Sequence, residues 1–266
     1  MKPVRVLIPT GFGLNCEDET ARAFRLVGAE VDLVHLTDLF AGRHGRRIRD
    51  YQVLAFVGGF AYGDHVAGGF VLATRIRAHL MADLAALLAG GGRVLGICNG
   101  FQTLVRLGLL PGPEAGAPDF VPRAALTNND RLGYRDAWVR VAADPAARCV
   151  WTRGVGTLEV PSRHGEGKFV AESDAALARL EANGQVAFRY VDGAGRPTEQ
   201  WPDNPNGSAR GIAGISDHSG RILGLMPHPD AFLYPWHHPD WPRRRAEIES
   251  REPAGLAVFR AGVTGI

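Results

Sequence analysis

The chain has 266 residues, 45% of them hydrophobic, with 30 basic and 28 acidic side chains and a formal net charge of +2. Such a length and apolar content can bury a sizeable core as a single domain (1–266), and the evenly mixed charge gives no electrostatic footprint for nucleic acid or an anionic membrane. No run approaches the ~20 apolar residues of a membrane span, the first residues lack a signal-peptide core, and Cys16, Cys98 and Cys149 are too widely spaced for a disulfide framework or a zinc site. A cytoplasmic, reducing setting is therefore expected, with Cys98 free to react and Cys16 and Cys149 structural.

In chain order, apolar runs and turn residues predict a strand over 4–8, a helix over 17–27 closed by Gly28, and strands over 31–35 and 53–57. A long helix over 70–89 follows, stopped by Gly90-Gly91-Gly92, and then a strand over 94–97. This alternation reads as α/β, a doubly wound and mainly parallel sheet with flanking helices. Beyond Pro111-Gly112-Pro113 shorter strand-like pieces near 124–126, 138–141, 156–160, 186–190 and 212–216 are separated by Gly, Asn and Asp turns, predicting a mixed or antiparallel extension. The stretch 199–211 reads as a loop placed to edge a site, 240–252 as a charged stretch, and 254–261 as a short terminal helix. Arg243-Arg244-Arg245 is assigned no role.

The strand over 94–97 ends in Gly96-Ile97-Cys98-Asn99-Gly100-Phe101-Gln102, a nucleophile flanked two residues away by glycine on each side. In such an elbow the reactive side chain sits on a strained strand-to-helix turn, and the glycines remove Cβ atoms that would clash with neighbouring backbone. The following helix directs its N–H groups and positive dipole end at the sulfur, which favours thiolate. A partner is read in Leu225-Met226-Pro227-His228-Pro229-Asp230, where a buried run ends in a histidine with a carboxylate two positions on. Asp230 can hold one nitrogen of His228 while the other faces Cys98, giving a Cys-His-Asp triad at the C-terminal ends of strands.

Three further segments accompany the elbow: Gly58-Gly59-Phe60-Ala61-Tyr62-Gly63-Asp64, His164-Gly165-Glu166-Gly167, and Asn204-Pro205-Asn206-Gly207-Ser208, with Asn15-Cys16-Glu17-Asp18-Glu19 near the start. In this order the chain resembles, over nearly its whole length, the class I (triad) glutamine amidotransferases, and within them the glutaminase subunits of phosphoribosylformylglycinamidine synthase. The resemblance implies a flavodoxin-like fold and glutamine as substrate. It also implies delivery of ammonia to a separate synthetase subunit in purine biosynthesis, with ATP and magnesium used only by that partner and no cofactor in this chain; whether a small third subunit joins stays open. Backbone N–H groups of Gly59, with Phe60 the neighbouring alternative, and of Asn99 are the expected oxyanion donors. Phe60, Gln102, His164, Gly165 and Glu166 are the expected glutamine-binding positions, in loops whose glycines suit backbone contact with a ligand.

A peptide flip in the Gly58-Gly59-Phe60 turn would switch the subunit on when the partner docks. No metal is expected, since His164 with Glu166 and His237 with His238 lack further ligands at helpful spacing. Asp230 departs from the glutamate usual in the family, and 231–234 lacks an arginine often found there. Two alternatives remain on the residues alone: a stand-alone cysteine hydrolase or stress protein of related fold, and a degenerate, non-catalytic regulatory subunit.

Overall fold

A computed structural model describes residues 2–265. The apolar runs form the strands β1 (Arg5–Thr10), β2 (Glu30–His35), β3 (Val53–Phe56) and β4 (Arg93–Ile97), connected by α1 (Glu17–Leu26), α2 (Leu36–Ala41), α3 (Phe70–His79) and α4 (Met81–Ala89). After α5 (Asn99–Arg106) come β5 (Ala124–Asn128), β6 (Arg135–Ala143), β7 (Thr157–His164), β8 (Glu166–Ala171), α6 (Asp174–Ala182), β9 (Val186–Tyr190), β10 (Ile212–Ser216), β11 (Ile222–Leu225), α7 (Trp241–Glu249) and α8 (Gly255–Val263).

Nine strands make one sheet in the order β2-β1-β3-β4-β11-β10-β9-β6-β7. The first five are mutually parallel, and from β11 to β7 every pairing is antiparallel. Strands β3, β4 and β11 are buried along their whole length, as strands covered on both faces must be, so their sequences read as continuous apolar runs. The expected α/β core and its antiparallel extension thus form a single continuous sheet, except that the piece expected near 124–126 is β5, which pairs with β8 in a separate two-stranded sheet. Its parallel half decides where chemistry can sit. Because β1, β3, β4 and β11 run the same way, the segments after their C-terminal ends, which begin at Gly11, Val57, Cys98 and Met226, emerge along one edge.

Helix packing fixes that edge. Phe24 of α1 meets Phe259 of α8 edge-on at 5.0 Å, and α3 packs on α5. Arg93, buried at the start of β4, donates to the carbonyls of Gly262 and Thr264 at 2.8 Å each, closing the C-terminal end of α8 with a cation. Among the described residues no helix is long and apolar enough to cross a membrane.

Several expectations need correction. The helix expected over 70–89 is two helices, broken at Leu80 (φ −124°, ψ 5°), whose buried side chain anchors the bend. The charged stretch 240–252 contains α7, which carries Pro242 in its first turn and is laced by the pairs Arg244–Glu247 and Arg245–Glu249. The His164-Gly165-Glu166-Gly167 segment is not a loop: β7 ends at His164 and β8 begins at Glu166, so the chain steps at Gly165 from the large sheet to a two-stranded sheet with β5.

Candidate active site

Cys98 caps the N-terminus of α5 with φ 52° and ψ −107°, a conformation that a non-glycine residue holds only at a cost of about 1–3 kcal/mol. The elbow glycines permit it. A Cβ on Gly100 would lie 2.1 Å from the carbonyl oxygen of Phe56, and one on Gly96 would lie 2.8 Å from that of Gly100. β3, β4 and α5 therefore approach one another only because both positions lack side chains. The Cys98 amide donates to Leu225 O at 2.8 Å, tying the elbow to the end of β11, and its thiol donates to Arg163 O at 3.4 Å.

The end of β11 delivers His228, and a short 3-10 turn over Pro229–Ala231 carries Asp230 beneath it. Both are buried, at 2% and 0% exposure, with His228 Nδ1 3.2 Å from Asp230 Oδ1. Asp230 Oδ2 accepts a hydrogen bond from Thr20 Oγ1 at 3.1 Å, so α1 fixes the carboxylate from the far side. Burial alone pushes the imidazole towards neutrality, yet Asp230, with the Cys16 and Cys98 thiols beside it, outweighs burial and holds His228 well above its ordinary pKa. Aspartate thus reaches the histidine despite being one methylene shorter than the family's usual glutamate.

Cys98 and His228 open into a cavity of about 370 Å³, lined also by Gly59, Phe60, Gln102, Gly165 and Glu166. Every side chain expected at the site therefore faces or underlies one space, but their parts differ. Phe60 is 45% exposed at the rim. Gln102 is part of the floor: it accepts from Asn99 Nδ2 at 2.9 Å and donates to Glu166 O at 2.6 Å, while Asn99 also donates to Asp64 Oδ1 at 2.8 Å. Glu166 Oε2 accepts from the Gly68 amide at 2.9 Å, joining β8 to the loop before α3. His164 has both ring nitrogens engaged, with Ser162 Oγ at 2.8 Å and Asn129 Oδ1 at 3.1 Å, and burial lowers its pKa to about 3. It shapes the wall as a neutral ring with no free nitrogen.

At the Gly58-Gly59-Phe60 turn, Leu14 and Gly59 form an isolated antiparallel bridge, made by Asn15 N donating to Gly58 O at 3.3 Å and Phe60 N donating to Gly13 O at 2.8 Å. Leu14 and Gly59 are the non-hydrogen-bonded pair of that bridge, so the Gly59 N–H points away from Leu14. The Phe60 amide is committed and the Gly59 amide is not. Asn99 N–H, at the first position of α5, has no intrahelical acceptor.

Sequence reasoning gave no site role to six residues that line the same cavity: Asn15, Cys16, Glu19, Asp64, Tyr134 and Arg163. Cys16 is a correction, since it does not merely fill the core: it faces His228, and burial pushes its thiol up to about 11. The Asn15-Cys16-Glu17 match was its only signal. The 199–211 loop, expected to edge the site, instead braces β8 from behind, with Asn206 Nδ2 donating to Gly167 O at 2.9 Å and Ser208 Oγ accepting from Phe169 N at 2.9 Å.

Comparison with known proteins places this geometry in a family. The chain is 40% identical over 248 residues to phosphoribosylformylglycinamidine synthase subunit PurQ of Methanococcus maripaludis strain S2, covering 93% of this chain and 89% of that protein. It is 39% identical over 263 residues to the protein of that name from Dehalococcoides mccartyi, covering 99% and 98%. Among solved structures it matches a chain of PurLQS from Thermotoga maritima with a TM-score of 0.70 and 27% identity, over 98% of both chains. A glutamine amido transferase from Methylobacillus flagellatus, 15% identical with a TM-score of 0.53 over 100% of this chain and 96% of that one, shares the fold. A family model describing the CobB/CobQ-like glutamine amidotransferase domain matches residues 3–264, and with it the elbow, the turn after β3 and the histidine after β11 find their common account: this chain is a member of that glutamine amidotransferase family.

Proposed function

We propose that the chain is the glutaminase subunit of a phosphoribosylformylglycinamidine synthase, hydrolysing glutamine to glutamate and ammonia and passing the ammonia to a separate ATP-dependent synthetase subunit in purine biosynthesis, in the cytoplasm. The observation that carries the chemistry is Cys98, strained on its elbow and opening into the same cavity as an imidazole 3.2 Å from a buried carboxylate. Cys98, His228 and Asp230 act as nucleophile, general acid-base and orienting carboxylate.

His228 takes the Cys98 thiol proton. The thiolate, no longer able to donate to Arg163 O, turns to the imidazolium and attacks the side-chain amide carbon of glutamine. The C–N bond breaks as His228 returns the proton to the leaving nitrogen, releasing ammonia and leaving a glutamyl thioester. A water deprotonated by His228 then attacks that thioester, and the C–S bond breaks to regenerate the thiol and glutamate. Both steps pass through an oxyanion, for which the Gly59 and Asn99 amides are the donors; each is worth about 3–4 kcal/mol in comparable holes. Phe60 gives the rim, while Gln102, His164, Gly165 and Glu166 shape the pocket. The cavity carries Arg163 together with Glu19, Asp64 and Glu166, opposite charges suited to the carboxylate and ammonium of a free amino acid. ATP and magnesium belong to the synthetase in this reading.

The test is ammonia release from glutamine by this chain with its cognate synthetase subunit, with Cys98→Ala alongside. Release that needs both the partner and Cys98 supports the reading. No release from a demonstrably formed complex overturns it and points to a degenerate subunit.

A further inference from the structure

Among the described residues the structure brings one group of three metal-ligand side chains together, and it shares two members with the reaction machinery. Cys16, just before α1, His228, after β11, and Asp230 each offer one donor atom, all within 4.8 Å of one another and all buried. His228 Nδ1, His228 Nε2 and Asp230 Oδ1 make no aligned hydrogen bond although they are shut away from solvent. The 3.2 Å contact between Nδ1 and Oδ1 is close but poorly directed. Beyond each other and the neighbouring Cys16 and Cys98 thiols these buried atoms have no partner among the described residues, which leaves room for a further ligand among them.

We propose that Cys16, His228 and Asp230 form a site for one zinc-class divalent cation, and that its occupation switches the glutaminase off. Donors around a tetrahedral zinc lie about 3.3–3.6 Å apart for thiolate, imidazole and carboxylate bond lengths. The imidazole-carboxylate separation of 3.2 Å falls just short of this range, and bringing donors that lie within 4.8 Å of one another into it needs side-chain shifts of about 1 Å. Gly58 leaves the room: a Cβ there would stand 2.6 Å from His228 Cε1 and 3.1 Å from Cys16 Sγ. The soft sulfur selects zinc-class ions over magnesium or calcium. On binding, the Cys16 thiol and the His228 imidazolium each give a proton to solvent, the sulfur and the freed ring nitrogen each donate a lone pair to the metal with no change of oxidation state, and a water from the cavity completes the shell. With its imidazole and carboxylate engaged, the pair no longer moves the Cys98 proton. That inhibitory consequence rests on the glutaminase reading, whereas the binding does not.

The experiment titrates the chelator-treated full-length chain with Co²⁺ as a spectroscopic probe, followed by Zn²⁺, without glutamine. The expected result is one equivalent bound, with a near-ultraviolet thiolate-to-cobalt band, displaced by Zn²⁺. Cys98→Ala should keep the band. Cys16→Ser should lose it and bind Zn²⁺ at least tenfold more weakly, by the scale of ligand-sphere substitutions. A band that persists in Cys16→Ser, a band lost in Cys98→Ala, or no stoichiometric binding would each overturn the site. If Cys16→Ser does not fold, thiol mapping in Cys98→Ala decides: Zn²⁺ must protect Cys16 from alkylation, and unprotected Cys16 refutes the proposal. In the complex with the synthetase, glutaminase activity should fall in step with occupancy and return with chelator. Activity unaffected at full occupancy would overturn the switch while leaving the site.

Discussion

Gly58→Ala isolates the space beside the imidazole. Gly58 lies outside the left-handed region, so alanine meets no backbone penalty there, and everything turns on the added methyl group. Its Cβ would stand 2.6 Å from His228 Cε1, where carbon atoms ordinarily rest about 3.5–4.0 Å apart, so the ring must yield by about 1 Å. Misplacing a reacting group by that distance costs about a hundredfold in rate, or about 2.7 kcal/mol of barrier. Stability should suffer less: overpacking costs about 1–3 kcal/mol, offset by about 0.4–1 kcal/mol from the stiffer unfolded chain. At about 2–4 °C per kcal/mol this net cost lowers the Tm by at most about 10 °C. The assay compares kcat/KM for glutamine in the complex, the rate of Cys98 alkylation by iodoacetamide and the Tm. Both rates should fall in a protein that remains folded at assay temperature. Rates within twofold of the wild type would show that the ring is not confined by this turn, and the account of His228 would have to be abandoned.

Two further substitutions test other parts of the site. Asp230→Asn keeps the shape and the Thr20 contact but removes the charge that holds the imidazolium against burial, so kcat should fall by about 10²–10⁴-fold; an unchanged kcat would remove Asp230 from the mechanism. His164 is held neutral down to about pH 3, so below its ordinary 6.5 the unfolded chain binds a proton that the folded chain refuses, and stability is lost as pH falls. Each pH unit in that window costs the wild type about 1.4 kcal/mol. His164→Gln removes this dependence, and urea unfolding at pH 7 and pH 4.5 should show the variant's relative stability improving by about 2–3 kcal/mol at the lower pH. Equal differences at the two values would show that His164 is not the group responsible.

The parallel half of the sheet was legible because strands buried on both faces leave unbroken apolar runs, and the elbow because Gly96 and Gly100 answer a local steric demand. Those are short-range signals. The break at Leu80 was not legible, since backbone bonds from Leu80 to Ile76 and from Leu84 to Leu80 carry the helical spacing across it. α7 hides in charge, its amphipathic stripe replaced by ion pairs along one face. β8 could not be read from its own residues because its partner is β5, and the step between the two sheets takes the single residue Gly165. Cys16 shows the limit most clearly: its neighbours His228 and Asp230 are brought to it by the order β1-β3-β4-β11, a property of the whole sheet and of no motif.

The turn after β3 carries a prediction of a different kind, because its two amides are unequally anchored. Phe60 N is held by Gly13 O at 2.8 Å, whereas the peptide bearing the Gly59 N–H is restrained through Gly58 O by a 3.3 Å bond from Asn15 N. The second peptide is the easier to reorient, which is where a partner-induced flip would act. Gly59 has φ 137°, open essentially to glycine alone, and a Cβ would meet Asn15 N and Gly13 O at 2.8 Å each. Gly59→Ala must therefore rotate that peptide and remove its N–H from the oxyanion. Glutamine hydrolysis should fall by about 10²–10³-fold in kcat. Alkylation of Cys98, a displacement at carbon in which no oxyanion forms, should stay within about threefold of the wild type. That contrast separates the turn from Gly58→Ala, where both reactions fail together because the histidine is displaced. Equal loss of both reactions in Gly59→Ala would mean that the turn supports the triad itself, and an unchanged kcat would place the second oxyanion donor elsewhere.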